Sequence, residues 1–390
     1  RRVRGPAPVV LAPSPSAKPR QAAPAPSPSV ARAESSLEAQ SPSRHDVHDG
    51  SPPVKVPLEL PTSRWSGASE VSPPVDYEHF RQLEVIQVGK SHLSVLALSP
   101  SGRYAAVSSQ VVFDVEVYDL DTRTLVGLFR NPEMKILDAM DVAFWPDESA
   151  GPRLLIGTPQ GLRLVDVRSG QTLQDLDDRP VFRMRWSIDE QVLVLQSSSS
   201  EGDKGSVLRF YTCSGDTSLR FLGQLALADR LSAFALSPDH SQLALLSYPA
   251  EVKVLGLPGL HLSARFRGPV AGSDLAFSPD GRSLALSGDS LWLVDLDHPQ
   301  QPLIHREGFR NNLDSVAFSP DGRVVAASAY DGGLRLFGSA LSGPEARLLK
   351  LLRHAGTANV YRMVFSRDGG RLVSASGDRT LRVWGVPGHR

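Results

Sequence analysis

The sequence predicts an all-β protein, a seven-bladed β-propeller of four-stranded antiparallel blades, on three observations. Seven related strand-and-turn units recur at nearly even spacing. From about Asp76 onward, short Val- and Leu-rich runs alternate with Ser-Pro-Asp-Gly and other Gly or Asp turns, the texture of strands joined by tight turns. An orphan strand ahead of the first unit matches a strand missing from the last. No amphipathic run of three or more helical turns competes with this reading.

Residues 1–77 read as a disordered Pro/Ala/Ser-rich linker, as in Ala-Pro-Ala-Pro-Ser-Pro-Ser, with too few large apolar residues to offset the entropy of ordering. Residues 78–390 are the expected propeller. The linker begins basic, with Arg1, Arg2, Arg4, Lys18, Arg20 and Arg32 before the first acid, Glu34. A solvated linker with scattered charge is the plainer reading of that run. The chain opens without an initiator methionine, which suggests a processed product or a piece of a longer protein, with room for an upstream anchor.

The repeat is marked by a serine that ends each inner strand. Ser99, Ser187, Ser237, Ser278, Ser319 and Ser366 hold the position, and Trp145 takes it in the second unit. Successive markers are 46, 42, 50, 41, 41 and 47 residues apart, the period of one propeller blade. In the sixth unit, Ser315–Ser319 is the inner strand and Ser319-Pro320-Asp321-Gly322 turns the chain. Residues 324–329 and 334–338 are the next two strands, separated by Tyr330-Asp331-Gly332-Gly333. Pro presets φ near −65° in such a turn and Gly accepts a positive φ without strain. Residues 346–352 complete the blade.

The seventh unit runs out of chain after its third strand. An unpaired outer edge would leave the ring open and prone to aggregation. Phe80–Val88, ahead of the first unit, is the economical outer strand for blade seven, closing the ring into a monomeric propeller.

Ser374–Trp384, reading Ser-Ala-Ser-Gly-Asp-Arg-Thr-Leu-Arg-Val-Trp, resembles a WD40 repeat, and the resemblance extends over about residues 78–388. In that family a His, Ser, Asp and Trp form a buried hydrogen-bonded set in a blade. The resemblance places them at His354, Ser374, Asp378 and Trp384. Other blades are looser: blade six keeps Asp331 but has Ala327 and Phe337 at the Ser and Trp positions. Such loose repeats also resemble propellers of the TolB type. The linker resembles those of large proteins from bacteria with GC-rich genomes.

Lys+Arg and Asp+Glu are both 42, for a formal net charge of +0, which favours neither nucleic acid nor a membrane surface as partner. The single cysteine, Cys213, excludes an internal disulfide framework and a Cys-based zinc site. No run reaches the length of a membrane-spanning helix. The compartment stays open, the cytoplasm being slightly favoured over a periplasmic or anchored setting.

His354, Asp378 and Ser374 have the residue types of a hydrolytic triad, yet Trp384 completes them into a structural network. His45-Asp46-Val47-His48-Asp49 could ligate a transition metal only weakly, lying where nothing pre-organises a site. No phosphate-cradling Gly loop joins a strand to a helix. No catalytic, cofactor-binding or metal-ligating residue is therefore expected.

Four residues before each marker, the inner strands carry Val95, Asp141, Arg183, Ala233, Asp274, Ser315 and Arg362. Inner strands line the channel, so this column sets a partly charged ring towards one face. Mutual pairing among the charges is one reading and a polar docking spot is the other. The inter-blade connections with Arg310, Asn312 and Tyr361, and the serine-rich insertion Ser197–Gly205, are expected on the same face. Loops held by a rigid scaffold are where binding residues concentrate. Asp141, Arg183, Asp274, Arg310, Asn312, Tyr361 and Arg362 are the expected partner-binding residues. The expected function is a non-catalytic protein-interaction scaffold or sensor for a protein partner. A propeller hydrolase or lactonase with a channel site, and a structural spacer, are the competing classes.

Overall fold

The computed structural model describes residues 58–65, 75–89, 93–109, 114–130, 140–198, 205–213, 217–305, 309, 312–341, 346–354, 356 and 358–387. The tail up to residue 57, the His45–Asp49 cluster, Arg310 and the centre of the serine-rich insertion (199–204) lie outside them.

Seven separate four-stranded antiparallel sheets follow one another along the chain. The inner strands are Leu93–Leu98, Asp141–Phe144, Arg183–Trp186, Leu231–Leu236, Asp274–Phe277, Leu313–Phe318 and Val360–Phe365. In each of the first six blades the next three strands follow outward in sequence order. Blade seven takes its outer strand from the other end of the chain. Arg81–Gln87 pairs antiparallel with Thr380–Gly385, in register from Arg81 opposite Gly385 to Gln87 opposite Thr380. The expected closure by an N-terminal strand is what the fold uses. A 3-10 turn at Tyr77–His79 is the one helical element among the described residues.

The second strand of each blade is sandwiched between neighbouring sheets, so it reads as a continuous apolar run and not an alternating one. Arg153–Thr158 and Val324–Ala329 are buried along their whole length. Outer strands meet solvent, and His261–Arg267 buries only Phe266.

The marker serine explains the turn that follows it. Ser319 Oγ accepts the Val324 amide at 3.0 Å and donates to Asp321 Oδ1 at 2.6 Å, which in turn accepts the Arg323 amide at 3.1 Å. Ser237 and Asp239, and Ser278 and Asp280, repeat the arrangement. Gly281 and Gly322 then adopt φ of 73° and 70°. Side-chain bonds of this kind satisfy turn amides that no strand can reach.

Antiparallel order gives the ring two distinct faces. The turn face carries these Ser-Pro-Asp-Gly turns. The inter-blade face carries the connections between blades and the Tyr330–Gly332 type of turn, and the described ends of the insertion, Ser198 and Gly205, lie there.

The sequence reading placed residues up to 77 in the linker, but two parts of that stretch pack on the propeller. Leu58 is 4% exposed in a core cluster with Val192, Phe210 and Phe234. Val75 and Tyr77 are buried with Phe80, Phe365 and Trp384. A composition average hides them, because a few large apolar residues spaced among prolines suffice once a preformed surface receives them.

Candidate functional site

The channel begins with what the inner strands can accommodate. Two residues before the marker, six of the seven strands carry Ala97, Ala143, Ala235, Ala276, Ala317 and Val364, small side chains suited to a crowded axis. The seventh carries Arg185. Its guanidinium reaches Asp141 Oδ2 at 3.2 Å and comes within 3.9 Å of Asp274 Oδ1. Mutual pairing was one of the two readings of the ring charges, and Arg185 entered neither. The break in a column of small residues is the signal that reveals it.

Asp141 also accepts the Met184 and Val142 amides, at 2.9 and 3.0 Å. Asp274 Oδ2 accepts from Arg362 Nη1 at 3.1 Å and Ser315 Oγ at 3.2 Å. Five of the seven blades are thereby linked to a neighbour or across the axis. Each aspartate side chain is 9% exposed, so these bonds satisfy groups that water scarcely reaches.

Arg183 differs from the other channel arginines. Nη1 donates to the carbonyls of Ser232, at 2.6 Å, and Ser273, at 3.4 Å, and no described carboxylate lies within ion-pair distance. Burial, with Arg362 and Arg185 nearby, pulls its pKa down to about 10. It remains a cation, held by carbonyl dipoles, at the inter-blade end of its strand.

On the same inter-blade side, Asp314 is bonded to Tyr330, and burial pushes its carboxyl up to about 6. The Tyr330 phenol is pushed up to about 12 by burial and by Asp314. Tyr330 and Tyr361 meet edge to face, 6.3 Å between ring centroids. Asn359 donates to the Tyr361 hydroxyl at 3.4 Å, and Asn312 is exposed. Arg362, Asn312 and Tyr361 thus share the inter-blade side. Tyr248, 74% exposed, and Val270 stand on loops of that same face.

The His354 set is a separate, buried unit in blade seven. His354 Nε2 lies 2.7 Å from Ser374 Oγ, which also accepts the Trp384 indole N–H at 2.8 Å. Nδ1 lies 3.2 Å from Asp378 Oδ2. Burial lowers the His354 pKa despite Asp378. For Asp378, burial works upward, yet the bonds from His354 and Thr380 outweigh it and hold the carboxyl well below its usual range. With Ser374 0% exposed, the set ties two strands of blade seven and the turn between them to the connection arriving from blade six. In blade six, where Ala327 and Phe337 replace Ser and Trp, buried Arg335 takes over Asp331 at 2.6 Å and stacks 4.6 Å over Phe309.

Among the described residues, cavities open on the turn face. One, of about 540 Å³, lies between blades seven and one; its Arg123 and Arg371 are paired with Glu84 and Asp121. Another is the channel mouth, about 450 Å³, an apolar funnel with Phe144, Trp186, Phe277 and Phe318 in its wall and Trp65 at its rim. Among the described residues no group of three or more His, Cys, Asp or Glu side chains could hold a metal ion.

Seven antiparallel blades and the His–Ser–Asp–Trp lock define a propeller of the WD40 type. The family model for the WD domain, G-beta repeat, matches residues 301–337 and 346–385, each span joining the outer strand of one blade to three strands of the next. The chain carries WD40 repeats within a seven-bladed propeller, a fold that generally serves as a protein-interaction scaffold. No curated protein matches it.

Proposed function

We propose that this propeller is a non-catalytic protein-interaction module. Its inter-blade face would receive a protein partner, with an acidic side chain or terminal carboxylate of that partner seated at Arg183. The observation that carries this reading is the state of Arg183: a guanidinium at the inter-blade end of its inner strand, bonded only to carbonyls and lowered in pKa by burial and by two neighbouring arginines. A carboxylate arriving there forms a charge-assisted bond in a low-dielectric setting. Asp141 and Asp274 are already engaged by arginines, which leaves them poorly disposed to bind a cation or act as bases. Tyr248, Tyr330 and Tyr361 supply aromatic contacts of the kind that anchor interfaces.

The experiment is a quantitative pull-down with wild type, Arg183→Glu and Arg183→Glu/Arg362→Glu, alongside a turn-face control such as Arg371→Glu. Binding lost in the first two and kept in the control supports the reading. Turnover of a lactone or ester panel that disappears in Asp141→Ala would replace it with an enzymatic one.

A further inference from the structure

Leu58–Trp65 crosses the turn face, opposite the docking surface just described. Leu58 and Leu60 pack into the cluster between blades three and four. Ser63 Oγ donates to Asp189 Oδ2 at 3.0 Å and lies against the Pro238 carbonyl. The Arg64 amide donates to Asp189 Oδ2 at 2.8 Å, and the Trp65 indole N–H donates to the Pro279 carbonyl at 2.8 Å. The polar contacts fall on turns: Ser63 and Arg64 meet that of blade three, Ser63 also that of blade four, and Trp65 that of blade five.

The turn of blade four reads Ser237-Pro238-Asp239-His240, with histidine where blades five and six have glycine. His240 nevertheless adopts φ of 61°, a conformation that costs a side-chain-bearing residue and often marks a functional position. Its ring is buried, with Nδ1 2.8 Å from the Pro61 carbonyl and Nε2 3.0 Å from Asp189 Oδ1. Asp189 also accepts from Ser187 Oγ, Gln191 Nε2 and the Gln191 amide, so it is an ionised carboxylate. Both oxygens facing His240 only accept. A neutral imidazole has one N–H, and only the imidazolium donates to both.

We infer that the turn face carries a peptide-binding cleft for an extended Leu-x-Leu-Pro-x-Ser-x-Trp segment, supplied in cis by Leu58–Trp65 and latched by protonated His240. The charged groups on the elements packed around His240 are Asp189 and Glu190 of blade three, Asp239 of its own turn, and Glu59 and Arg64 of the strap. Asp239 is held by Ser237 and Ser241, Glu190 is paired with Arg367, and Glu59 and the Arg64 side chain point to solvent.

Burial disfavours charge on His240, but its bonds to Asp189 and Pro61 and the charges of Asp189 and Asp239 outweigh that and raise its pKa. A histidine raised by docking holds the strap most firmly below its undocked pKa and loosens it as pH rises through the docked one. Each unit of separation changes the docking equilibrium about tenfold.

The test uses the full chain and amide hydrogen exchange of Arg64, corrected for intrinsic rates. Protection is expected to fall about tenfold or more between pH 6 and pH 8.5 in wild type, and to lose that dependence in His240→Gln. Equal protection at both pH values in wild type overturns the latch. For the cleft, a labelled peptide of residues 58–65 is added to Leu58→Asp/Trp65→Ala, with circular dichroism as the check on folding. Binding to this variant and exclusion from wild type at pH 6 are expected. Should the variant not fold, the same peptide in excess at pH 8.5 must speed Arg64 exchange in wild type; failure to do so, or no binding to a folded variant, overturns the cleft.

Discussion

Arg185 of blade three reaches back to Asp141 of blade two across 3.2 Å, and the same guanidinium approaches Asp274 of blade five. The pair sits on the channel axis, where two of the seven blades supply acids and one side chain serves both. Removing one member of a fully buried pair costs about 3–5 kcal/mol. Arg185 is 35% exposed, and both aspartates keep other donors. Arg185→Ala is therefore expected to cost about 1–2 kcal/mol, read as a lowered urea midpoint with an unchanged m-value. A midpoint equal to wild type would mean that the ring charges are fully screened.

Closure of the ring rests on Arg81–Gln87. Without it, Thr380–Gly385 becomes an open edge, and Phe80, 0% exposed against Tyr77 and Trp384, loses its site. Deleting residues 78–90 is expected to give an unfolded or aggregated chain in size-exclusion chromatography and circular dichroism. Phe80→Ala alone is expected to cost about 3–4 kcal/mol. A folded, monomeric deletion product would overturn the closure.

Asp314 is an acid whose pKa burial raises from 3.8 to about 6. An unfolded chain ionises it near the lower value, so the folded state binds the proton more tightly. Stability therefore declines as pH rises from 4 to 6, by about 2 kcal/mol after discounting for partial exposure. Asp314→Asn keeps an acceptor for the Tyr330 hydroxyl and removes the charge. It should be more stable than wild type above pH 6 by about that amount and indistinguishable below pH 4. Parallel stability–pH curves for the two proteins would assign the burial cost to another group.

Much of the fold was legible because its information is local and repeated. The marker serine, the Asp two residues on and the Gly after it make one hydrogen-bonded turn, and counting such turns counts blades. The missing outer strand and the orphan strand were likewise a matter of counting. The channel column was legible by the same alignment, which brings Asp141, Arg183, Asp274 and Arg362 to one level. The two most specific side chains were exceptions within the alignment. Arg185 breaks a row of small residues, and His240 replaces a glycine. A repeat pattern encodes what recurs in every blade, and the contacts of Arg185 and His240 each occur in one blade alone.

The sequence by itself determined the blade count, the turn chemistry and the ring closure, since each follows from spacing within one repeat or between the chain's two ends, while the His354 lock was implied by the resemblance of Ser374–Trp384 to a WD40 repeat. Only the tertiary structure decided which charges meet and where the strap lies. Asp141 and Arg185 are 44 residues apart, and Pro61 and His240 are 179 apart. Those contacts exist because closing the ring converges inner strands on one axis and lines up the turns of successive blades into a cleft. Neither surface is present in any single repeat, so no pattern within a repeat can encode it.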